Sequence, residues 1–86
     1  VCGSGTGMAI AANKVHGVRA AVAWSPDIAR LARQHNNANI LALPARFISD
    51  DQTKESVKAW FDADFEGGRH ERRVEKIEKA EGEDFK

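Results

Sequence analysis

Short apolar runs alternate with stretches of helical periodicity along most of the chain. Residues 18–24 and 39–43 are apolar runs whose length and flanking signals are typical of buried parallel strands. Between them, Ser25 can cap a helix whose first helical position is Pro26, and we predict that this helix ends around residues 35–37. The central part of the chain is therefore predicted to be a strand–helix–strand unit.

The helical stretches carry narrow apolar stripes. At helical spacing these stripes are Ile28, Leu31 and Ala32 in the central helix, and Val57, Trp60 and Phe61 in a further helix that opens at residues 50–53. Arg30 and Arg33 are expected to face outward from the central helix. Acidic residues at the start of the further helix suit the positive end of its dipole.

Strands that alternate with helices at this pitch predict β-α-β units, a parallel sheet and right-handed crossovers. Residues 1–14 fit the same scheme as a strand end, a glycine turn and a short helix. The chain then holds about three strands, of which the first is truncated. The predicted fold class is α/β.

The last part of the chain is a predicted charged helix. Gly67 and Gly68 form a hinge, and the helix follows over residues 69–81 with Val74 and Ile77 among its few apolar positions. That stripe is too thin to seal a core, and we expect the helix to lie across a partner subunit. Residues 82–86 are expected to be frayed.

Composition narrows the classes of function. The 86 residues are enough for one small domain, and 13 basic and 13 acidic residues balance, which disfavours nucleic acid and anionic membranes as partners. The single cysteine cannot form an internal disulfide, which favours a reducing compartment. No apolar run approaches the ~20 residues that a membrane span requires.

The first eight residues carry the densest chemistry. Cys2 is followed by glycines at every second position up to Gly7, and a helix start follows. Backbone N–H groups converge at such a turn and favour an anion or a thiolate. A tight turn without a ligand and a buried small thiol are the structural alternatives. The spacing is neither G-x-G-x-x-G nor a Walker loop, so a nucleotide site is poorly supported.

Imidazole and guanidinium groups supply further candidates. His35 closes the central helix, where a histidine is either a helix-end or surface residue or, at a ligand edge, a proton-transfer group. Arg69 and Arg73 share a helix face, which suits a solvated surface or a bound phosphate or carboxylate. Arg46, after the last predicted strand, is a candidate for the same anion.

Together these stretches resemble the type B ribose-5-phosphate isomerases, a group that includes the galactose-6-phosphate isomerase subunits. The similarity covers residues 1–77. The motifs that carry it are Cys-Gly-Ser-Gly-Thr-Gly-Met at 2–8, Ile-Ala-Ala-Asn-Lys at 10–14, Ala-Arg-Gln-His-Asn-Asn-Ala-Asn at 32–39, Leu-Ala-Leu-Pro-Ala-Arg at 41–46 and Phe-Glu-Gly-Gly-Arg-His-Glu-Arg-Arg-Val at 65–74.

The resemblance implies a role for each matching residue. Cys2 matches the catalytic base that moves a proton between C1 and C2 of the open sugar. His35 matches the residue that helps to open the furanose ring, and Ser4 lies near the ring oxygen as a third catalytic position. The implied substrate-binding residues are Gly3, Gly5, Thr6 and Gly7 around the enediolate, Asn36 at a hydroxyl, Arg69 and Arg73 at the phosphate, and Arg46 as an extra contact.

The resemblance also implies an architecture and a setting. The fold is a Rossmann-like three-layer sandwich with a parallel sheet, in which residues 1–68 are the C-terminal part of the isomerase domain and 69–86 a charged helix and tail of the same domain. Family members are cytoplasmic homodimers or tetramers with shared sites, and they use no metal or other cofactor. A sugar phosphate is the implied ligand, with no nucleic acid or membrane partner.

Three departures from the family pattern matter. The N-terminal half, with its Asp-His-Ala-Gly type motif, is absent from these residues, so part of the site is expected to be absent too. Met8 stands where some members use a glutamate base, which leaves Cys2 as the base candidate. Pro44 replaces an expected glycine. A galactose-6-phosphate or other hexose-phosphate isomerase and a truncated non-catalytic remnant remain the alternatives.

Overall fold

The computed structural model describes residues 1–84 as four helices around a small parallel sheet. The elements in chain order are α1 (Thr6–Ala12), β1 (Ala20–Val22), α2 (Pro26–Asn36), β2 (Ile40–Ala42), α3 (Asp50–Asp62) and α4 (Arg69–Asp84). The predicted order of elements is confirmed, although both strands are shorter than their apolar runs. The frayed tail predicted from residue 82 is wrong up to Asp84, since α4 continues there, and residues 85–86 lie outside the described chain.

The sheet is parallel, as the alternation of elements predicts. β1 pairs with β2 in the register Ala20 to Ile40 and Val22 to Ala42. Cys2 forms an isolated parallel bridge with Pro44, so the chain start lies beside the extension of β2. Right-handed crossovers then place α1 and α2 on opposite faces, which gives the predicted three-layer α/β arrangement.

Side-chain caps define where two of the helices begin. The Ser25 hydroxyl accepts the Ile28 N–H at 3.3 Å, with Pro26 at the first helical position, as predicted. Ser49 and Gln52 form a reciprocal capping box at the start of α3. The predicted start of this helix at residues 50–53 is confirmed, since α3 begins at Asp50, whereas the Ser49 cap was not predicted.

The core is built from alanines around one tryptophan. Its buried members are Ala23, Ala29, Ala32, Ala38 and Trp60, with Ala21, Ile28 and Leu41 packed against them. Small residues let α2 and the sheet approach closely, and Trp60 of α3 packs its indole against these alanines. Ile28 and Leu31 are only half-buried, so the central stripe is narrower than predicted.

Arg33 was predicted to face outward, and this prediction is wrong. One guanidinium nitrogen, Nη1, donates to the Ala38 carbonyl at 2.8 Å, and the guanidinium lies 5.4 Å from the centre of the Trp60 ring. A flat, delocalised cation can satisfy a carbonyl and cover an aromatic face at once, which explains its place at the helix end. The prediction for Arg30, an exposed residue paired with Asp27, is confirmed.

The stripe predicted for α3 is also partly wrong. Trp60 is buried and Val57 half-buried, but Phe61 is 78% exposed and Ser56 takes its place on the inner face. The buried positions of α3 are therefore Ser56 and Trp60, four residues apart, and Ala63 is buried just beyond the end of the helix. On α4, Val74 is buried while Ile77 remains exposed, as expected for a helix with a thin stripe.

Helix α2 carries the chain from one edge of the sheet to the other. It begins after β1 at the carboxyl edge and ends before β2 at the amino edge, because the two strands are parallel. Its 11 residues span about 16 Å. Helix α4 reaches the amino edge, where Glu78 lies 3.5 Å from Arg19 and Glu81 accepts the Gly17 N–H.

The assignment of residues 1–68 and 69–86 to one domain stays a prediction. Among residues 1–84, no helix combines the length and apolar character needed to cross a membrane.

Candidate active site

Cys2 lies at the carboxyl edge of the sheet, where its backbone is fixed on both sides. The Cys2 N–H donates to the Leu43 carbonyl at 3.0 Å, and the Cys2 carbonyl accepts the Ala45 N–H at 2.7 Å. The side chain is a free thiol and is half-buried. Ligands of open α/β sheets bind at this edge, so the sulfur lies where it can react with a bound ligand.

The loop after Cys2 presents backbone donors beside the thiol. Gly5 has a left-handed backbone with φ 80° and precedes the first residue of α1. The backbone N–H of Thr6 donates to the Ser4 hydroxyl at 3.4 Å, and both residues are exposed. The first N–H groups of a helix have no partner within the helix, so this loop offers donors to a developing negative charge.

Gly5→Ala is expected to destabilise the protein by about 1–3 kcal/mol. A Cβ atom there would lie 3.2 Å from Val22 Cγ1 and 3.5 Å from the Pro44 nitrogen, in addition to the cost of the positive φ. Chemical denaturation, monitored by far-UV circular dichroism, measures the change in the free energy of unfolding.

Gly7→Ala is the matched control for that substitution. Gly7 lies inside α1, has an ordinary helical backbone, and a Cβ atom there would meet nothing within 4 Å. We expect it to be neutral or to stabilise by up to about 1 kcal/mol. Equal destabilisation by the two alanines would contradict the role given to the backbone at Gly5.

Arg46 belongs to the same edge. Its backbone N–H donates to the Gly3 carbonyl at 3.1 Å. Its side chain passes over Gly3 so closely that a Cβ atom on Gly3 would lie 3.3 Å from the Arg46 Nε. Cys2, the loop Gly3–Gly7 and Arg46 are named the carboxyl-edge cluster. A cleft of about 380 Å³ adjoins it and is lined by Ser4, Thr6, Val22, Trp24, Pro44 and Phe47.

The other predicted site residues gather at the amino edge, near the end of α2. The imidazoles of His35 and His70 are stacked, with ring centres 4.1 Å apart and planes inclined by 8°. Glu66 Oε1 lies 3.7 Å from His35 Nε2 and 3.8 Å from His70 Nε2. The amino-edge cluster is completed by Asn36, Arg69 and Arg73, whose side chains are exposed.

Backbone contacts hold this cluster together. The Glu66 N–H donates to the Gln34 carbonyl at 3.0 Å, which ties the loop to the last turn of α2. Gly67 and Gly68 both have positive φ, 70° and 57°, and turn the chain into α4. The hinge predicted at these glycines is thus a tight turn that sets His70 against His35.

His70 is the buried member of the stacked pair and has a lowered pKa. Burial is the main cause, and the neighbouring His35 and the guanidiniums of Arg69 and Arg73 lower the pKa further, whereas Glu66 opposes them. His70 is therefore predominantly uncharged near neutral pH. Glu66 and His70 were not predicted as site residues, although both lie in the 65–74 motif that carries the arginines.

The three side chains His35, Glu66 and His70 also hold metal-ligand atoms within 4.8 Å of one another. Two histidines and a glutamate are a known zinc donor set. The nearly parallel rings cannot both aim a nitrogen lone pair at one ion, and Arg69 and Arg73 place positive charge beside it. These residues do not fit a metal ion in this arrangement.

The predicted site residues therefore form two clusters and not one. Cys2 and Arg46 lie at the carboxyl edge, whereas His35 and both α4 arginines lie towards the amino edge, separated by about the length of α2. Asn36 lines a second cavity of about 350 Å³ together with Arg19 and Glu78. The roles given to these residues stay predictions.

Comparison with known proteins identifies close relatives. A family model described as Ribose/Galactose Isomerase matches residues 1–77. The chain is 51% identical over 83 residues to a probable ribose-5-phosphate isomerase B of Mycoplasma genitalium, covering 96% of this chain and 55% of that protein. It is also 51% identical over 77 residues to a D-erythrulose-4-phosphate isomerase of Pectobacterium atrosepticum, covering 90% and 51%.

A solved structure supports the same relationship. The crystal structure of ribose-5-phosphate isomerase B from Mycoplasma genitalium with bound ribulose-5-phosphate superposes with a TM-score of 0.93 at 51% identity, covering 95% of this chain and 54% of that one. The fold class is thereby confirmed. The chain spans about half the length of the curated relatives it matches.

Proposed function

The chain belongs to the ribose/galactose isomerase family, and on that premise we propose that its protein interconverts ribose 5-phosphate and ribulose 5-phosphate. The observation that carries this proposal is Cys2, held at the carboxyl edge beside the backbone donors of the glycine loop. An aldose–ketose isomerase needs a base beside the carbonyl carbon and donors at the oxygen where charge develops.

The chemistry assigned to this cluster is a proton transfer without net oxidation. The Cys2 thiolate removes the proton from C2 of the open aldose, and the electron pair moves to the C1 oxygen through an enediolate. The loop N–H groups stabilise that charge. A proton is then delivered from the thiol to C1, and the O2 proton is transferred to O1, which leaves the ketose and the original thiolate.

The amino-edge cluster supplies the other tasks in this proposal. Arg69 and Arg73, four residues apart on α4, are suited to holding the phosphate, and Asn36 to contacting a substrate hydroxyl. His35 donates a proton to the furanose ring oxygen and so opens the ring. Both arginines are exposed, which leaves them free to contact an anion.

We further propose that each active site is shared between two subunits. Within one chain, Cys2 and His35 lie at opposite edges of the sheet, so one sugar of five carbons does not reach both. A second copy that brings its amino-edge cluster to the carboxyl-edge cluster completes the site. A two-fold dimer satisfies this arrangement twice, because a symmetric interface pairs both sets of residues.

The proposed compartment is the cytoplasm. A thiolate base must stay reduced to act, and the cytoplasm is the compartment in which thiols are kept reduced.

The assay for the proposed function compares three aldose phosphates on one preparation. Ribose 5-phosphate is expected to give the highest kcat/KM, with galactose 6-phosphate as the second candidate because the family includes galactose isomerases. Erythrose 4-phosphate is the third, since one relative acts on a four-carbon ketose phosphate. A preference for galactose 6-phosphate would replace ribose 5-phosphate as the assigned substrate. Turnover of none of the three would favour a non-catalytic remnant.

A further inference from the structure

Glu66 and His70 both contact the imidazole of His35, and neither has a role in the proposed reaction. We propose that both are positioning residues that hold the His35 imidazole for proton transfer to the sugar ring, an inference that rests on the proposed function. His70 fixes the plane of the ring, and Glu66 fixes which ring nitrogen carries the proton. Neither residue needs to touch the reacting atoms for this role.

The stacking contact restricts the His35 side chain. A half-exposed histidine at a helix end has several rotamers available, but here one face of its ring is covered at 4.1 Å by a parallel ring. The covering side chain is itself restricted, because His70 is buried and its backbone N–H donates to the Gly67 carbonyl at 3.1 Å. The stack therefore transfers the rigidity of the α4 start to the end of α2.

The carboxylate acts on the His35 nitrogens. Glu66 Oε1 lies 3.7 Å from His35 Nε2, an ion-pair distance that favours a proton on this nitrogen and leaves Nδ1 as the atom that exchanges a proton with substrate. The Glu66 backbone N–H donates to the Gln34 carbonyl. This bond holds the segment between α3 and α4, and with it the carboxylate, beside the end of α2.

The Glu66 carboxylate lies beside the two imidazoles, and both have a ring nitrogen within 4 Å of the same carboxylate oxygen. Burial and the guanidiniums of Arg69 and Arg73 keep the pKa of His70 lowered, although Glu66 opposes them. An uncharged His70 ring avoids the repulsion that two stacked imidazoliums would create.

The kinetic test uses a substrate pair that separates ring opening from isomerisation. Ribulose 5-phosphate cannot close to a furanose because its O5 is esterified, so deuterium exchange from heavy water into its C1 requires the base but not ring opening. Glu66→Gln is expected to lower kcat for ribose 5-phosphate about tenfold and to change the exchange rate less than about twofold. Glu66→Asp should recover part of the loss.

The control in this test is Glu75→Gln. Glu75 is an exposed carboxylate on the same helix as His70, five residues further on, where the helix has turned it about 140° away. It is expected to leave both rates unchanged. Equal losses of ring-dependent turnover and of exchange in Glu66→Gln would overturn the positioning role, because a structural defect would slow both.

A second measurement works without any turnover. In the protein with 15N-labelled histidines, the His35 ring-nitrogen shifts report which nitrogen carries the proton. Glu66→Gln is expected to move that proton from Nε2, whereas Glu75→Gln is not. The groups that contact the His35 ring are Glu66 and His70, and the guanidiniums of Arg69 and Arg73 act on His70 behind it.

The stacking contribution has its own pair of variants. His70→Phe retains an aromatic ring at this position and should keep the His35 ring ordered, while His70→Ala should release it, seen as loss of the ring-current shift on His35. Unchanged His35 signals in Glu66→Gln and His70→Ala would refute the inference even in an active enzyme. Changed signals in a protein that isomerises no sugar would refute the proposed function alone.

Discussion

Cys2→Ala is expected to lower kcat for ribose 5-phosphate by about three orders of magnitude while the fold remains intact. The loss is large because removing a positioned proton-transfer group costs roughly 100- to 10,000-fold, and the chain has one cysteine. Its fold should persist because the structural bonds at this position come from the backbone, to Leu43 and Ala45, and alanine keeps them. An isomerisation assay and a thermal melt measure the two effects.

A thiol-specific reagent gives an independent check on the same residue. Alkylation by iodoacetamide is followed at the Cys2 peptide by mass spectrometry, so that the modification of this thiol is measured directly. We expect alkylation to abolish turnover and ribulose 5-phosphate to slow the alkylation. A Cys2→Ala protein that retains full activity, or alkylated protein that still turns over, would contradict the assignment of the base.

The order of elements and several of their boundaries could be predicted from sequence because local signals specify them. Ser25 and Pro26 defined the start of α2, and the two glycines before Arg69 defined the start of α4. These signals act within one turn of chain, where side chain and backbone are neighbours in sequence. The alternation of strands and helices then determined the parallel sheet.

Contacts between distant segments could not be predicted in the same way. Outward and inward positions were wrong for Arg33 and Phe61, because helical spacing does not say which neighbour covers a face or whether a guanidinium can stack there. The pairing of His35 with His70 joins residues 35 apart, and no periodicity encodes it. The carboxylate between them was missed for the same reason.

The division of the site between two edges of the sheet could not be predicted from the motifs. The motifs that carry Cys2 and His35 say which residues belong to an active site but not where each one lies in the fold. The fold puts them at the two ends of α2, since a helix between parallel strands must return the chain to the opposite edge. This geometry makes the oligomer part of the catalytic proposal, and it can be tested directly.

Mixing Cys2→Ala with His35→Ala is expected to restore turnover of ribose 5-phosphate, because each variant retains the cluster that is defective in the other. In a dimer formed from Cys2→Ala and His35→Ala subunits, one site receives both defects and the other receives neither. Random exchange at equal amounts gives about half hybrid dimers, so about a quarter of wild-type activity should return. Subunits with two different affinity tags allow the hybrid to be isolated, and its activity should be about half that of wild type.

The control for this restoration is a mixture of Cys2→Ala with Cys2→Ser, whose hybrid has a defective base in both sites. It should stay inactive at every ratio. If Cys2 and His35 instead acted within one subunit, every subunit in the first mixture would carry a broken site, and no hybrid could recover activity. Restored turnover in the first mixture alone therefore requires that the carboxyl-edge cluster of one chain work with the amino-edge cluster of another.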